Sequence, residues 1–244
     1  MKLAKYYFTL ICTFIVINSI SAQDYYFKDK VPFNTDIPTP EEFLGYEIGE
    51  HHTRHDLIVA YLTKLAEMSD RASIEIYGKT HEKRKLVMFT VTSPENLKNL
   101  ETIKSDHLQF VNPAESPKNY EEVPVIIQLG YNVHGNEPSS SEAALLTAYT
   151  LVASASEEVE NYLEKSVIFI DPTINPDGRD RHTQWANQYQ AKTLVSDNMD
   201  AEHTEAWPRG RTNHYWFDLN RDWLLAVHPE SQGKLKWMHT WYPN

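Results

Sequence analysis

Apolar residues recur along the chain with two different periods, and each period predicts a different kind of element. Between residues 56 and 68 the apolar positions are spaced as on one face of a helix, which predicts an amphipathic helix. Residues 73–77 and 86–92 are rich in β-branched and aromatic side chains, and the polar residues 78–84 separate them. Two such segments joined by a polar turn predict a β-hairpin.

Two later segments are almost continuously apolar, which is typical of strands covered on both faces of a sheet. They span residues 123–129 and 167–170. Between them, residues 143–152 predict a buried helix, which Ser139 and Glu142 introduce with the Ser-x-x-Glu spacing of a capping box. The order strand, helix, strand predicts an α/β fold with helices on both faces, and the early hairpin makes its β-sheet mixed.

The remaining segments show weaker patterns. Residues 23–45 are rich in Pro, Asp and Glu and predict an extended lead-in, whereas residues 93–122 predict a loop. Residues 175–213 form a long polar stretch with scattered aromatic side chains, and residues 229–241 return to a helical pattern. We therefore expect one α/β domain over residues 46–244.

The N-terminus has the pattern of a secretory signal peptide. Lys2 and Lys5 flank the start of an apolar run over residues 6–17, and small residues follow up to Ala22. The apolar run is shorter than the roughly 20 residues that a membrane-spanning helix needs. We therefore predict that residues 1–22 are cleaved off after Ala22, that the protein is secreted or periplasmic, and that it has no stable membrane anchor.

Cysteine content and charge narrow the possible functions. Cys12 is the only cysteine and lies inside the predicted signal peptide, so the mature protein has no thiol for nucleophilic catalysis, redox chemistry or zinc binding. The formal net charge is −11, and loss of Lys2 and Lys5 makes it more negative. An acidic protein repels phosphate backbones, which argues against nucleic acid as a partner.

Polar clusters follow both buried segments, where open α/β sheets bind their ligands. His134 and Glu137 lie three positions apart just after residues 123–129. At that spacing an imidazole nitrogen and a carboxylate oxygen can bind one zinc ion at about 2.0–2.2 Å. Asn175-Pro-Asp-Gly178 follows the second segment, and its residue types are those of a tight turn.

A third cluster spans residues 210–223 and contains Arg211 and Arg221. Arginine binds carboxylates through two parallel hydrogen bonds, although two exposed arginines are equally compatible with an ordinary solvated surface. In order and spacing, the three clusters resemble the M14 zinc carboxypeptidases: His-x-x-Glu, then Asn-Pro-Asp-Gly, then Arg-x-Asn ahead of Asp-Leu-Asn-Arg-Asp-Trp. Residues 77–86 are similar to the early hairpin of that family, and the resemblance covers roughly residues 40–244.

The resemblance implies a role for each cluster. His134 and Glu137 would be two of the three protein ligands of a zinc ion, Zn2+. Asn220 and Arg221 would bind the terminal carboxylate of a peptide substrate, which confines cleavage to the chain end.

The resemblance also implies an arginine that polarises the scissile carbonyl group. Arg211 is assigned to this role, and Arg209 is the competing candidate because the insert between Gly178 and Asn220 leaves the correspondence open. Asp218 would be structural, or would support a zinc ligand.

The function implied is that of a secreted metallocarboxypeptidase, a zinc-dependent protease whose activated water hydrolyses C-terminal residues of peptides. The alternatives are an amide hydrolase acting on peptidoglycan-derived or N-acyl substrates, and a non-catalytic pseudopeptidase that only binds. The third zinc ligand and the general-base glutamate are expected beyond residue 244, so the catalytic domain over residues 46–244 would be incomplete. We expect the 244-residue chain to bind zinc weakly and to hydrolyse little.

The other histidines are left unassigned. His228 precedes Pro229 at a predicted helix start and is interpreted as a loop or cap residue. His239 lies within the same helical pattern. His51, His52 and His55 are close in sequence, but their spacing does not connect them to a zinc site.

Overall fold

The structure is a computed structural model that describes residues 22–112, 114 and 119–244. Residues 1–21, which hold almost all of the predicted signal peptide, lie outside the described residues. Within the described part of the chain, no helix is both long and apolar enough to cross a membrane.

The described residues form nine α-helices and four β-strands. The helices are α1 (Ala22–Phe27), α2 (Pro40–Leu44), α3 (His55–Met68), α4 (Pro94–Lys98), α5 (Leu100–Val111), α6 (Pro138–Ala153), α7 (Glu157–Lys165), α8 (Pro176–Tyr189) and α9 (Pro229–Trp241). The strands are β1 (Ala72–Lys79), β2 (Lys85–Val91), β3 (Val125–Gly130) and β4 (Ser166–Asp171). The predicted helices over residues 56–68, 143–152 and 229–241 correspond to α3, α6 and α9.

The four strands form one mixed sheet in the order β1-β2-β4-β3. β1 and β2 are the predicted antiparallel hairpin, and β2 pairs antiparallel with β4. β3 and β4 run parallel, with Gly130 opposite Asp171 at their carboxyl ends. The predicted mixed sheet is confirmed, and the parallel pair brings the segments that follow β3 and β4 to one edge.

Helices cover both faces of the sheet, as the sequence predicts. Alternate residues of β4 point to opposite faces, so that Ile168 and Ile170 belong to one hydrophobic core while Val167 and Phe169 belong to the other. The first core also contains the buried faces of α3, α6 and α7, and the second is closed by α5 and α9. β4 is buried along its whole length, because apolar side chains meet it from both sides.

The prediction of a buried strand over residues 123–129 holds in part, and the predicted capping box before α6 was wrong. β3 is the edge strand of the described sheet and Val125 is 49% exposed, but Ile126 lies in one core while Ile127 and Leu129 pack against the other, so β3 is covered on both faces and only partly buried. Ser139 and Glu142 do not form a capping box: α6 begins at Pro138, and Glu142 accepts hydrogen bonds from Thr53 and Arg179 instead. A buried guanidinium outcompetes the helix terminus for that carboxylate, because it offers a charge-assisted bond.

The predicted loop over residues 93–122 contains the helices α4 and α5. Ser93 accepts a hydrogen bond from the Asn96 amide and Pro94 occupies the first turn, so α4 has a capped start. α5 is held by burial of Ile103 and His107. Residues 23–45, predicted as extended, include α1 and α2, and α2 begins with a Thr39–Glu42 capping box.

Candidate active site

The loop between β3 and α6 carries the predicted metal ligands, and Asn132 shapes it. Asn132 has a positive φ of 56°, a conformation that Asn tolerates better than most residues. Its amide side chain donates to the carbonyl oxygens of His134 and Glu137 at 3.0 and 3.1 Å. Its backbone N–H donates to Ser140 Oγ at 2.7 Å. These bonds hold the two candidate ligands on one tight turn.

Asn175-Pro-Asp-Gly178, predicted as a tight turn, is the first turn of α8 instead. Asn175 precedes the helix and its side chain accepts a hydrogen bond from the Gly178 amide at 3.0 Å, while Pro176 occupies the first helical position. Both features are typical of helix N-termini. Turns and helix starts share these residue types, so the motif alone did not distinguish them.

Three glycines let three backbone segments approach each other beside His134. A Cβ atom on Gly135 would lie 2.2 Å from the Arg179 nitrogen and 2.5 Å from the Gly210 oxygen. A Cβ atom on Gly178 would lie 2.4 Å from the same Gly210 oxygen. Only glycine permits this approach, and through it the segment that carries Arg211 is placed next to the loop after β3.

His134 lies between two carboxylates. Its Nδ1 is 2.8 Å from Glu137 Oε1, and its Nε2 is 3.0 Å from Asp218 Oδ1. The His134 side chain is 8% exposed, whereas the Glu137 side chain is about half exposed. The structure therefore brings the predicted pair together and adds Asp218 on the opposite side of the ring.

Asp218 connects His134 to Arg211. Its Oδ1 also accepts a hydrogen bond from the Asn220 amide, and its Oδ2 accepts one from Arg211 Nη2, both at 3.0 Å. Partial burial raises the pKa of the Asp218 carboxyl, but the bonds from Arg211, Asn220 and His134 outweigh burial and hold its pKa below the usual value. Asp218 is therefore an ionised carboxylate at neutral pH.

The two candidate arginines lie in different surroundings. Arg211 is 45% exposed on its side chain and binds Asp218. Arg209 has a positive φ of 63°, and its backbone oxygen accepts a hydrogen bond from Arg181 Nε at 2.7 Å. The hydrogen bonds recorded for the described residues connect Arg211, and not Arg209, to the His134–Asp218 pair.

Asn220 and Arg221 lie in a short 3-10 turn over residues Leu219–Arg221 that Asp218 begins. The Asn220 side-chain oxygen accepts a hydrogen bond from Trp223 Nε1 at 3.1 Å. The Arg221 guanidinium is exposed and donates to the Asn220 backbone oxygen at 3.0 Å. The Arg221 side chain makes no ion pair within the described residues, so its charge faces solvent.

Glu205 is a structural carboxylate that the sequence analysis missed. Its two oxygens accept hydrogen bonds from Asn136 Nδ2 and the Gly210 amide, each at 2.7 Å. His182 Nδ1 lies 2.8 Å from the same carboxylate. Glu205 thereby fastens the loop after β3 to the segment that carries Arg211. No spacing rule points to it, because its partners are 69, 5 and 23 positions away.

We expect Glu205→Gln to destabilise the protein by about 2 kcal/mol at pH 7, as is usual for loss of a charge-assisted hydrogen bond. Burial raises the pKa of Glu205, but His182, Asn136 and the Gly210 amide together lower it below its usual value. Its contribution is therefore fully present above the unfolded pKa of about 4.3 and is lost as pH falls through the folded pKa. Denaturant unfolding at pH 7 and pH 3 should show the difference between wild type and variant shrinking at pH 3.

Glu164→Gln is the matched control for this experiment, because Glu164 is exposed. It should leave the free energy of unfolding within about 0.5 kcal/mol of wild type at both pH values. A Glu205→Gln variant whose deficit is as large at pH 3 as at pH 7 would contradict the assigned role of the charge.

The remaining histidines have separate partners. His51 Nδ1 is 3.1 Å from Gln190 Oε1, His52 packs edge-on against His182, and His55 Nε2 is 2.8 Å from the Lys85 oxygen. His228 is the residue immediately before α9, which confirms its predicted loop or cap position. His239 is exposed on α9 and stacks on Tyr242.

The surroundings of His134 fit a zinc ion in two respects. One ring nitrogen faces the Glu137 carboxylate, and the other faces Asp218, and zinc-bound histidines usually donate their second N–H to a carboxylate. Ligand atoms that share a tetrahedral zinc at about 2.1 Å lie about 3.4 Å apart, so the 2.8 Å between His134 and Glu137 requires only a small opening. No third His, Asp or Glu of the described chain joins these two in a three-ligand group.

Comparison with protein families agrees with the geometry. The model of the family Peptidase_M14, zinc carboxypeptidase, matches residues 58–241, which is more than half of the chain. A search of curated proteins found no match.

Solved structures of carboxypeptidases are similar to this one. They include the carboxypeptidase A from Helicoverpa armigera (15% identity, TM-score 0.50, covering 88% of this chain and 48% of that one). A putative carboxypeptidase A from Shewanella denitrificans has 18% identity and a TM-score of 0.49, covering 80% of this chain and 38% of that one. The metallo-carboxypeptidase from Pseudomonas aeruginosa has 16% identity and a TM-score of 0.44, with 75% and 36% covered. At these identities the likeness concerns the fold alone, and this chain spans less than half the length of each.

Proposed function

The chain belongs to the M14 zinc carboxypeptidase family, and from that premise we propose that its activity is that of a secreted carboxypeptidase. Its substrate would be a peptide with a free C-terminal carboxylate, and its reaction the hydrolysis of the last peptide bond. The observation that carries the proposal is the position of His134 between the Glu137 and Asp218 carboxylates.

In this proposal His134 and Glu137 hold a zinc ion. A zinc ion bound there supplies a Lewis acid for the scissile carbonyl group and lowers the pKa of a bound water. Asp218 keeps the His134 ring in place by accepting a hydrogen bond from its Nε2–H group. The proton of the neutral ring is then on Nε2, so Nδ1 is unprotonated and can serve as a ligand.

Arg211 and Arg221 would each interact with a different negatively charged group of the substrate. Arg211 is held by Asp218 on the Nε2 side of the His134 ring. To stabilise the charge that develops on the carbonyl oxygen during water attack, its guanidinium would turn from Asp218 towards the Nδ1 side of the ring. Arg221 is exposed and unpaired by any described carboxylate, and with Asn220 it would bind the terminal carboxylate through two parallel bonds. The 3-10 turn begun by Asp218 fixes the spacing between these two functions.

The residues that we can assign supply two zinc ligands and no general-base carboxylate. A site with two protein ligands loses much of the affinity of a three-ligand site. We therefore propose that the 244-residue chain binds zinc weakly at His134 and turns over slowly. Residues 1–22 would direct it out of the cytoplasm before they are removed.

Zinc titration of the purified chain, followed by hydrolysis of a blocked dipeptide, tests the proposal. We expect His134→Ala to abolish zinc binding at this site and Glu137→Gln to weaken it by at least about tenfold. Residual hydrolysis should require His134 and should be lost when the dipeptide carboxylate is replaced by an amide, because Arg221 then has no anion to bind.

His239→Ala is the matched control, since His239 is exposed on α9 and makes no contact with the site. It should change neither zinc affinity nor hydrolysis. Zinc binding with unchanged stoichiometry in both His134→Ala and Glu137→Gln would contradict the ligand assignment. Equal hydrolysis of the dipeptide acid and the dipeptide amide would favour the alternative of a more general amide hydrolase.

A further inference from the structure

Two histidines and a glutamate meet in a second cluster that shares no residue with the site around His134. His81 lies in the turn between β1 and β2, His228 immediately precedes α9, and Glu230 lies in the first turn of α9. One ligand atom from each lies within 4.8 Å of the others. His81 and His228 are 147 positions apart, so no sequence spacing reveals the cluster.

The distances in this cluster match the spacing of ligands around a small cation. His81 Nε2 is 3.0 Å from His228 Nδ1 and 4.0 Å from Glu230 Oε2. Ligand atoms bound tetrahedrally to one zinc ion at about 2.1 Å lie about 3.4 Å apart. The observed distances lie on either side of that value, so shifts of the ligand atoms by a few tenths of an ångström would accommodate an ion.

Glu230 is a buried carboxylate without a partner. Its relative exposure is 0%, and neither of its oxygens accepts a hydrogen bond of good geometry from the described residues. Burial raises the pKa of Glu230 to about 7 and outweighs the backbone N–H groups of Glu230 and His81, which lie near enough to lower it. No described Lys or Arg lies within ion-pair distance of it; its only such neighbour is His81. Burying a carboxylate without hydrogen bonds or a counter-charge is costly, so this side chain calls for a cation that the protein side chains do not supply.

A hydrogen bond between the two histidines does not resolve this. One ring N–H can donate to the other ring nitrogen at 3.0 Å, and both of these atoms are then satisfied. Both Glu230 oxygens remain without a partner in that arrangement. A divalent ion bound to all three side chains satisfies the two nitrogens and the carboxylate together.

The backbone on both sides of the cluster is fixed independently of any ion. In the β1–β2 turn, Thr80 Oγ1 and the Glu82 amide both donate to the Asp177 carboxylate, at 2.7 and 3.3 Å. Before α9, the amides of Val227 and His228 donate to the Asp222 carboxylate at 3.0 Å. The ligands therefore extend from two segments that are already held in place, which reduces the entropic cost of binding.

The rings and charges around the cluster also suit a cation. His81 packs edge-on against Tyr215, and His228 packs against Phe217, each with ring centroids 4.6 Å apart, and these contacts restrict rotation of both imidazoles. The carboxylates of Asp177 and Asp222 lie near enough to Glu230 to make the local potential more negative. A negative potential in a largely buried pocket attracts cations.

We propose that His81, His228 and Glu230 bind a divalent transition-metal ion of the zinc type. Two imidazoles and one carboxylate are a common three-ligand set for zinc, with water in the fourth position. The ion connects the β1–β2 turn to the start of α9 and neutralises Glu230, so its role is structural: it stabilises the packing of α9 on the sheet.

Titration with zinc chloride and with cobalt chloride tests the proposal on the full chain. In the His134→Ala variant, one equivalent of zinc should still bind, and cobalt should show the visible absorption of a four- or five-coordinate ion with nitrogen ligands. Zinc should raise the midpoint of thermal unfolding, and a chelator should reverse the increase. Glu230→Gln and His81→Ala should each weaken this binding by more than about 100-fold, since loss of a ligand costs more than the 10–100-fold typical of its outer partners.

His214→Ala is the matched control. His214 lies beside the cluster, with its ring 6.3 Å from that of His81, but pairs with Glu82 instead. It should retain the zinc equivalent and its stabilising effect. If Glu230→Gln does not fold, His81→Asn gives the same readout, because the His81 side chain is a quarter exposed.

Unchanged zinc affinity in Glu230→Gln or His81→Asn would overturn the proposal, as would the absence of any zinc binding in His134→Ala. The experiment tests the two proposed metal sites separately. If His134→Ala binds no zinc at all, the second site is contradicted. If His81→Ala still binds zinc and this binding depends on His134, the proposed carboxypeptidase site is supported even when the second site is contradicted.

Discussion

Gly135→Ala should destabilise the protein by at least about 3 kcal/mol, at the upper end of the range for overpacked sites. A methyl group at this position would lie 2.2 Å from the Arg179 nitrogen and from the Gly178 carbon, and 2.5 Å from the Gly210 oxygen. All three are backbone atoms, so no side chain can rotate to make room. Chemical denaturation of the two proteins side by side measures the difference.

Gly45→Ala separates crowding from backbone strain. Gly45 has a φ of 79° with nothing within 4 Å of a Cβ atom, so alanine there meets only the left-handed backbone penalty of about 1–2 kcal/mol. Gly135 has no such φ and meets only the crowding. If Gly135→Ala cost less than Gly45→Ala, the close approach of the three backbone segments would be wrong.

A Gly135→Ala protein that still folds should also have a disturbed candidate site. The three segments can relieve the clash only by moving apart, and that movement separates the loop carrying His134 from the segment carrying Arg211. We expect weaker zinc binding at His134 along with the loss of stability. The Gly45→Ala protein should bind zinc as wild type does.

Lys234→Met should destabilise the protein by about 3–5 kcal/mol, the range observed when one partner of a buried ion pair is removed. Lys234 Nζ lies 2.7 Å from Asp171 Oδ2, and the two side chains are 2% and 0% exposed. Tyr77 donates its hydroxyl to the same oxygen at 2.8 Å. Burial, and then the charge of Asp171, raise the pKa of Tyr77, so its hydroxyl remains a donor but cannot replace the missing charge.

Lys236→Met provides the comparison, because Lys236 lies on the same helix and is exposed. Its effect on the free energy of unfolding should be within about 0.5 kcal/mol. Adding Asp171→Asn to the Lys234→Met protein should recover about half of the lost stability, since the unpaired charge is then gone. If the double variant is less stable than the single one, the deficit comes from lost packing rather than from the unpaired carboxylate.

Elements whose pattern is local were predictable from the sequence. The helical spacing over residues 56–68, the apolar β-rich run at residues 167–170 and the hairpin after residue 72 all correspond to observed elements. Each of these elements depends on side chains that are close together in the sequence, so their spacing can be read from the sequence itself. The candidate ligands His134 and Glu137 were found for the same reason, because three positions separate them.

Errors arose where a distant partner decided the outcome. Glu142 has the spacing of a capping residue, but the buried guanidinium of Arg179, 37 positions away, binds it instead. Residues 100–111 form α5 although their composition is polar, because Ile103 and His107 are buried and His107 contacts the Tyr242 oxygen, 135 positions away. The missed start of α4 is a different case, since its cap, Ser93 with Asn96, is local. A local rule fails when a stronger long-range contact competes for the same group.

The sequence by itself determined the family, the α/β class and the residues to inspect for zinc and carboxylate binding, because these follow from motifs in a fixed order. Only the tertiary structure decided what surrounds them: Asp218 on the second nitrogen of His134, Glu205 between two loops, and Glu230 facing two histidines. Asp218 is 84 positions from His134, Glu205 is 69 positions from Asn136, and His81 is 147 positions from His228. Hydrogen bonds and charges act over a few ångströms of space, and only folding brings such distant positions within that range.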